Sequence, residues 1–182
     1  MDEQQAILCL KRGDIDGLEF LVGLYQVRAV RTAYLITRDT ALAEDVAQEA
    51  FLQAYRSIRH FDQDRSFGPW FMRSVVHAAL KAAQKNSRHE DHSSQRQSFD
   101  ELFADSASVE EQVETIEFQG RVWAAMRDLT PRQRAAVVQR YFLDMSEREM
   151  AAQLEAPAGT VKWLLHEARE RLRSLLSERT SK

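Results

Sequence analysis

Residues 129–172 read LTPRQRAAVVQRYFLDMSEREMAAQLEAPAGTVKWLLHEARERL, three amphipathic segments divided by residues that start and stop helices. Thr130 followed by Pro131 opens the first, because a threonine oxygen accepts from free backbone amides and proline fits the first helical turn. Arg134, Val137, Val138 and Tyr141 then recur at the spacing of one helix face. Ser146 with Glu149 forms a capping box that opens the second helix, which turns Met150, Ala151 and Leu154 inward. Pro157 lacks the amide that a continuing helix needs, so the chain stops at Glu155-Ala156 and restarts near Ala158. The restarted helix runs to about Leu176, with Val161, Leu164 or Leu165, Ala168, Leu172 and Leu175 recurring at helical spacing.

Such a pattern spells a helix-turn-helix whose last helix meets the DNA major groove. Gly159, Thr160 and Lys162 sit in that helix's first turn, where free amides and the positive end of the helix dipole attract phosphate. Arg140, near the end of the first helix, is placed as a phosphate clamp.

A net charge of −3 runs against nucleic-acid binding until it is divided along the chain. Residues 121–182 hold 12 Lys and Arg against 8 Asp and Glu, residues 1–86 hold 11 of each, and residues 87–120 hold 2 against 9. The acidity therefore belongs to one middle segment, and phosphate affinity follows local positive charge. That segment is polar and serine-rich from Asn86 to Ser108 and too poor in aliphatics to order itself, so it reads as a flexible linker. Helical periodicity is expected to return at Val109, Val113 and Ile116, leading into Phe118, Val122, Trp123 and Met126.

The first 86 residues predict a separate helical bundle. A short helix spans Glu3 to Lys11 and a longer one about Asp14 to Thr37, with Leu18, Leu21, Val22, Tyr25, Ala29 and Leu35 inside. The next, Thr40 to Arg59, turns Leu42, Val46, Ala50, Phe51, Ala54 and Ile58 inward and Glu44, Asp45, Gln48, Glu49 and Gln53 outward. A last helix runs from about Pro69 to Lys85. On it Trp70, Arg73, His77 and Lys81 fall near one stripe; Phe71 and Trp70 are assigned to the core, leaving Arg73, His77 and Lys81 as the nucleic-acid residues. The fold expected is all-α: two small helical domains, 1–86 and 121–182, joined by an acidic linker at 87–120.

Two separated stretches converge on one family. Ala43-Glu44-Asp45-Val46-Ala47-Gln48-Glu49-Ala50-Phe51-Leu52-Gln53-Ala54-Tyr55-Arg56 and Phe67-Gly68-Pro69-Trp70-Phe71-Met72-Arg73 resemble the first domain of bacterial RNA polymerase sigma factors of the extracytoplasmic-function (ECF) group. Leu129 to Leu172, notably Gly159-Thr160-Val161-Lys162 and Ala168-Arg169-Glu170-Arg171-Leu172, resembles their second. The resemblance implies a dissociable polymerase subunit without catalytic chemistry. Its first domain would dock on the clamp helices of core RNA polymerase through Asp45, Gln48, Glu49 and Gln53 and open the −10 element with Arg73, His77 and Lys81. Its second would rest on the polymerase flap and read the −35 element of promoter DNA through Arg140, Thr160, Lys162, Trp163, His166 and Arg169. An anti-sigma factor is the regulatory partner implied. The acidic linker then reads either as a nucleic-acid mimic threading toward the polymerase cleft or as a plain tether.

This chain departs from the family pattern at several positions. His77 stands where asparagine is common, which alters the donor and acceptor pattern near the −10 base. Leu164 and Glu167 stand where arginines are frequent in the recognition helix. Two readings follow. Trp163 packs on thymine methyl groups or sugars while Glu167 accepts from a cytosine amine, or Trp163 and Leu164 both bury against the preceding helices or a partner protein. Asp144 replaces a frequent glycine at the turn before Met145-Ser146, and aspartate tolerates left-handed backbone well enough to keep it.

Other function classes find little support. No apolar run approaches the roughly 20 residues of a membrane span, and the polar start Met1-Asp2-Glu3-Gln4 is unlike a secretory signal, so a cytoplasmic location is expected. Cys9, the single cysteine, suits a reducing compartment and is expected to be buried in a helix rather than to sense oxidation. His89 and His92 lack a second ligand pair for zinc, and no glycine-rich phosphate loop or nucleophile motif is present, so no metal, cofactor or small-molecule substrate is expected. The rival to a sigma factor is a sigma-like interaction protein that sequesters an anti-sigma factor or polymerase without reading promoters, motivated by His77, Leu164 and Glu167.

Overall fold

The computed structural model describes residues 1–86, 122 and 124–178. Everything described is helix, turn or irregular backbone, and the chain divides into two compact units, Met1–Lys85 and Asn86–Lys182. The acidic segment, with His89 and His92, and the expected return of periodicity at Val109, Val113, Ile116, Phe118 and Trp123 lie outside the described residues.

In the first unit, α1 (Glu3–Lys11) begins with a reciprocal capping box between Asp2 and Gln5 and gives way to Gly13, whose φ of 88° lets the chain reverse. The second helix, α2 (Asp16–Thr37), packs against α1 at Gly17, where a Cβ would stand 2.2 Å from the carbonyl oxygen of Ala6. Only glycine lets the two backbones approach that closely. Arg38 then takes the left-handed conformation (φ 66°) and Asp39 caps α3 (Thr40–Ser57) by accepting from the amide of Leu42 at 2.9 Å. A 3₁₀ turn, Ile58–His60, extends α3 beyond its last full turn. The expected helix to Arg59 thus ends in a tighter turn, a frequent way to satisfy terminal carbonyls.

The final helix of this unit, α4 (Phe67–Asn86), starts two residues before Pro69. Phe67 and Phe71 are fully buried and stack with ring centroids 5.7 Å apart; Tyr25, Phe51 and Phe61 close around them. Trp70, assigned to the core from sequence, is half-buried at the edge of this cluster, with its ring centroid 4.9 Å from that of Phe61. The Tyr25 hydroxyl donates to the Glu3 carboxylate and lies where a Cβ on Gly68 would press on it, so one phenol ties α1, α2 and the start of α4 together. Lys11 Nζ donates to the carbonyl of Phe61 at 2.6 Å, a second tie from α1. Cys9 is a half-buried free thiol on α1 rather than fully buried.

In the second unit, Thr130 and Gln133 form the capping box of α5 (Pro131–Tyr141), with Pro131 at its first turn. Residues 133–139 of α5 are all buried, and Arg134 satisfies its guanidinium by donating to the Leu129 carbonyl at 2.8 Å. The helix is therefore central to its unit, except at its end. Tyr141, expected on the inner stripe, is more than half exposed, because the helix outruns the core at its last turn. Asp144 adopts φ 49°, as its replacement of glycine requires, and Ser146 and Glu149 cap α6 (Glu147–Gln153) reciprocally. Met150 and Leu154 are buried, while Ala151 is only half-buried. Glu155 (φ 48°) reverses the chain into Pro157, and α7 (Ala158–Glu178) packs on both α5 and α6 through Val161, Leu164, Leu165 and Ala168.

Candidate nucleic-acid and polymerase interfaces

The outward side of α7 is divided into two stripes. Because each residue turns the helix by about 100°, Lys162, His166, Arg169 and Arg173 fall along one line and Trp163, Glu167 and Glu170 along another, about 100° around. All seven are exposed, whereas Leu164 and Leu165, on the opposite side of the helix, are buried. The two sequence readings of Trp163 and Leu164 thereby separate: Leu164 is 4% exposed and belongs to the core, while Trp163 is 57% exposed and does not. Thr160 is half-buried in the first turn, where its amide donates to the Pro157 carbonyl at 2.9 Å.

Three of the expected cations are held at the turn between α5 and α6 and at the helix ends that flank it. Arg140 Nη1 donates to the carbonyl of Met145 at 3.1 Å, and Arg169 Nε donates to the Tyr141 hydroxyl at 2.8 Å. Lys162 Nζ lies 3.8 Å from the Glu147 carboxylate, an exposed pair of the kind worth little by itself. The end of α5, the turn into α6 and the facing side of α7 thus bring Arg140, Lys162 and Arg169 onto one surface, with the Glu147 carboxylate beside Lys162. Tyr141 and Glu147 escaped the sequence reading: Tyr141 looked like a core position by its spacing, and Glu147 meets Lys162 only through the turn. The polar tip of a tyrosine at the end of a helix was the available signal.

In the first unit, Asp45, Gln48, Glu49 and Gln53 share the solvent face of α3, as their spacing requires, and Glu49 pairs with Arg56 at 3.6 Å. Leu52 and Tyr55 are exposed on the same side, which adds apolar area to an otherwise polar and acidic surface. Sequence periodicity by itself picks out only the polar members. Arg73, His77 and Lys81 stand at four-residue spacing along α4; His77 and Lys81 are exposed, whereas Arg73 is half-buried with its Nε out of contact with solvent. Arg73 is therefore partly built into the unit and less accessible than the two residues that follow it. Among the described residues no group of His, Cys, Asp and Glu could hold a metal ion, and no helix is long and apolar enough to cross a membrane.

Comparison with known proteins matches residues 21–89 to the family Sigma-70 region 2 and residues 119–172 to Sigma-70, region 4. The ECF RNA polymerase sigma factor SigW of Bacillus subtilis is 28% identical over 177 residues, covering 93% of this chain and 94% of SigW. The RNA polymerase sigma-H factor of Pseudomonas aeruginosa is 29% identical, covering 92% and 90%. In fold, the chain is similar to CnrH, solved in complex with the cytosolic domain of CnrY (TM-score 0.62, 21% identity, 97% of each chain). It is also similar to the sigma factor RpoE of Bartonella quintana, solved with the anti-sigma factor NepR (TM-score 0.60, 19% identity, 87% of this chain and 97% of that one). Both regions occur in the order of these relatives and across nearly their whole length, with a helix-turn-helix in the second: the chain belongs to the ECF group of RNA polymerase sigma factors.

Proposed function

We propose that this protein binds core RNA polymerase and directs it to a restricted set of promoters, without catalytic chemistry of its own. The observation that carries this reading is the pairing of region 2 and region 4 in one chain, each with a solvent face suited to its task. Residues 1–86 would form the polymerase-binding and −10 domain, 87–120 a linker, and 121–182 the −35 domain.

On the polymerase side, Asp45, Gln48, Glu49 and Gln53 offer acceptors to a basic partner helix, and Leu52 and Tyr55 supply the apolar area that polar rims lack. Arg73, His77 and Lys81 line the part of α4 that would follow the opened −10 strand, with His77 able to hydrogen-bond and stack on an unpaired base. On the duplex side, Arg140, Lys162 and Arg169 would neutralise backbone phosphates, while Thr160, Trp163 and His166 on the first turns of α7 would complete the contact with the duplex. Work of this kind takes place where polymerase and chromosome are, in the cytoplasm. The similar sigma factor solved with the anti-sigma factor NepR supports an anti-sigma factor as the regulatory partner.

Transcription by core polymerase with and without this protein, on a library of genomic promoter fragments, tests the reading. Promoter-specific transcripts that require the protein are expected. Polymerase binding with no specific transcript from any template would favour the sequestering role instead.

A further inference from the structure

We infer that the second outward stripe of α7 carries the base-specific part of duplex reading, with Glu167 selecting a cytosine and Trp163 a thymine one to two base pairs away. The inference rests on the proposed binding of duplex DNA by α7. Lys162, His166 and Arg169 on one stripe are suited to phosphates, and Arg173 beyond them pairs with Glu170, but the carboxylate of Glu167 on the neighbouring stripe is repelled by phosphates. A helix lying in a groove about 12 Å wide presents one side to a phosphate wall and the side about 100° around to the groove floor. With the basic stripe on the wall, Glu167 and Trp163 face base edges.

The floor holds donors that a carboxylate can use. Cytosine presents its N4 amino group with no acceptor on the same base, whereas adenine presents its N6 donor beside the N7 acceptor, which a carboxylate opposes. Cytosine is therefore the matching base for Glu167, for which no hydrogen bond or ion pair competes among the described residues. Trp163 lies one turn earlier with 57% of its surface exposed and no aromatic or hydrogen-bonding partner among the described residues. The one apolar group on the major-groove floor is the thymine methyl. Four residues advance a helix by about 6 Å, against about 3.4 Å per base pair, which sets the separation of the two bases.

The test uses the full-length protein with core RNA polymerase and a pool of duplexes randomised across the upstream element. Wild type should enrich cytosine and thymine at the predicted separation. Glu167→Gln should reduce the cytosine preference about fivefold or more, while the thymine preference stays. Trp163→Ala should do the reverse. Replacing the selected thymine by uracil removes one methyl and should weaken wild type about threefold while leaving Trp163→Ala unchanged. Unaltered base preferences in both variants would overturn the inference, as would a uniform rise in affinity for Glu167→Gln, which would mark the carboxylate as merely repelled by phosphate. Retention of no duplex at all would remove duplex reading itself, and this inference with it.

Discussion

Arg169 and Tyr141 are joined by a 2.8 Å hydrogen bond from the guanidinium Nε to the phenol oxygen, which ties the exposed face of α7 to the end of α5. A guanidinium restrained at one nitrogen keeps its remaining donors in a fixed fork for a phosphate. Tyr141→Phe removes the tie and leaves the ring. Affinity of the holoenzyme for its selected duplex should fall about two- to fivefold, equally for all sequences, since one exposed neutral acceptor is at stake. Anisotropy titrations with matched and mismatched duplexes check this; a change in base preference would contradict the positioning role.

Lys162 and Glu147 make an opposite prediction. The carboxylate 3.8 Å from the ammonium competes with any phosphate for it. Glu147→Gln should strengthen duplex binding and steepen its salt dependence, and Lys162→Ala should flatten the log–log salt slope by about 0.9, the value of one lost phosphate contact. Titrations between low and moderate salt separate the two variants by sign.

The other proposed interface is expected to depend on charge on α3. Asp45→Lys with Glu49→Lys reverses two acceptors on an exposed face, so core folding should be untouched while binding to core polymerase weakens about tenfold or more. Duplex preference selected by whatever holoenzyme still forms should not move. Equal polymerase affinity for the double variant and wild type would exclude this face from docking.

Gly17 and Gly23 lie on the same helix and should respond in opposite directions to alanine. Alanine in place of glycine ordinarily favours an internal helical position by about 1 kcal/mol. At Gly23 the new Cβ meets nothing within 4 Å, so Gly23→Ala should stabilise by up to that amount. At Gly17 it would lie 2.2 Å from the Ala6 carbonyl oxygen and 2.9 Å from the Leu10 amide nitrogen, both backbone atoms that cannot swing away. Gly17→Ala should therefore cost at least about 2 kcal/mol as α1 is pushed off α2. Urea unfolding followed by helical signal measures both.

The phenol of Tyr25 adds a pH dependence. Burial first, and its bond to Glu3 second, raise its pKa well above the ordinary tyrosine value of 10.0. The folded state thus keeps a proton that the unfolded chain gives up. The contribution is complete below pH 10 and is lost as pH climbs from there toward the folded pKa. Denaturation midpoints of wild type should fall more steeply above pH 10 than those of Tyr25→Phe, in which no phenol titrates at this site.

The starts of four helices were legible because their signals are local. Asp2, Asp39, Thr130 and Ser146 each accept from the amide three residues ahead, and Pro157 blocks continuation, so the starts of α1, α3, α5 and α6 lie where short-range chemistry puts them. The errors occur where an element meets the limit of its core. Tyr141 keeps the helical period but has nothing left to pack against, and Trp70 reaches only the rim of the aromatic cluster around Phe67.

Sequence alone determined which segments are helical, where they turn, and which family the two motifs resemble, because capping, periodicity and backbone conformation depend on neighbours a few residues away. Tertiary structure decided what the surfaces contain. It buried Leu164 while leaving Trp163 outside, brought Tyr141 to Arg169 and Glu147 to Lys162, and drew Arg73 partly inward. Those outcomes depend on how α5, α6 and α7 cross and on how far the core around each helix extends, and residues 15 and 28 positions apart meet only when packing has set the angle between their helices.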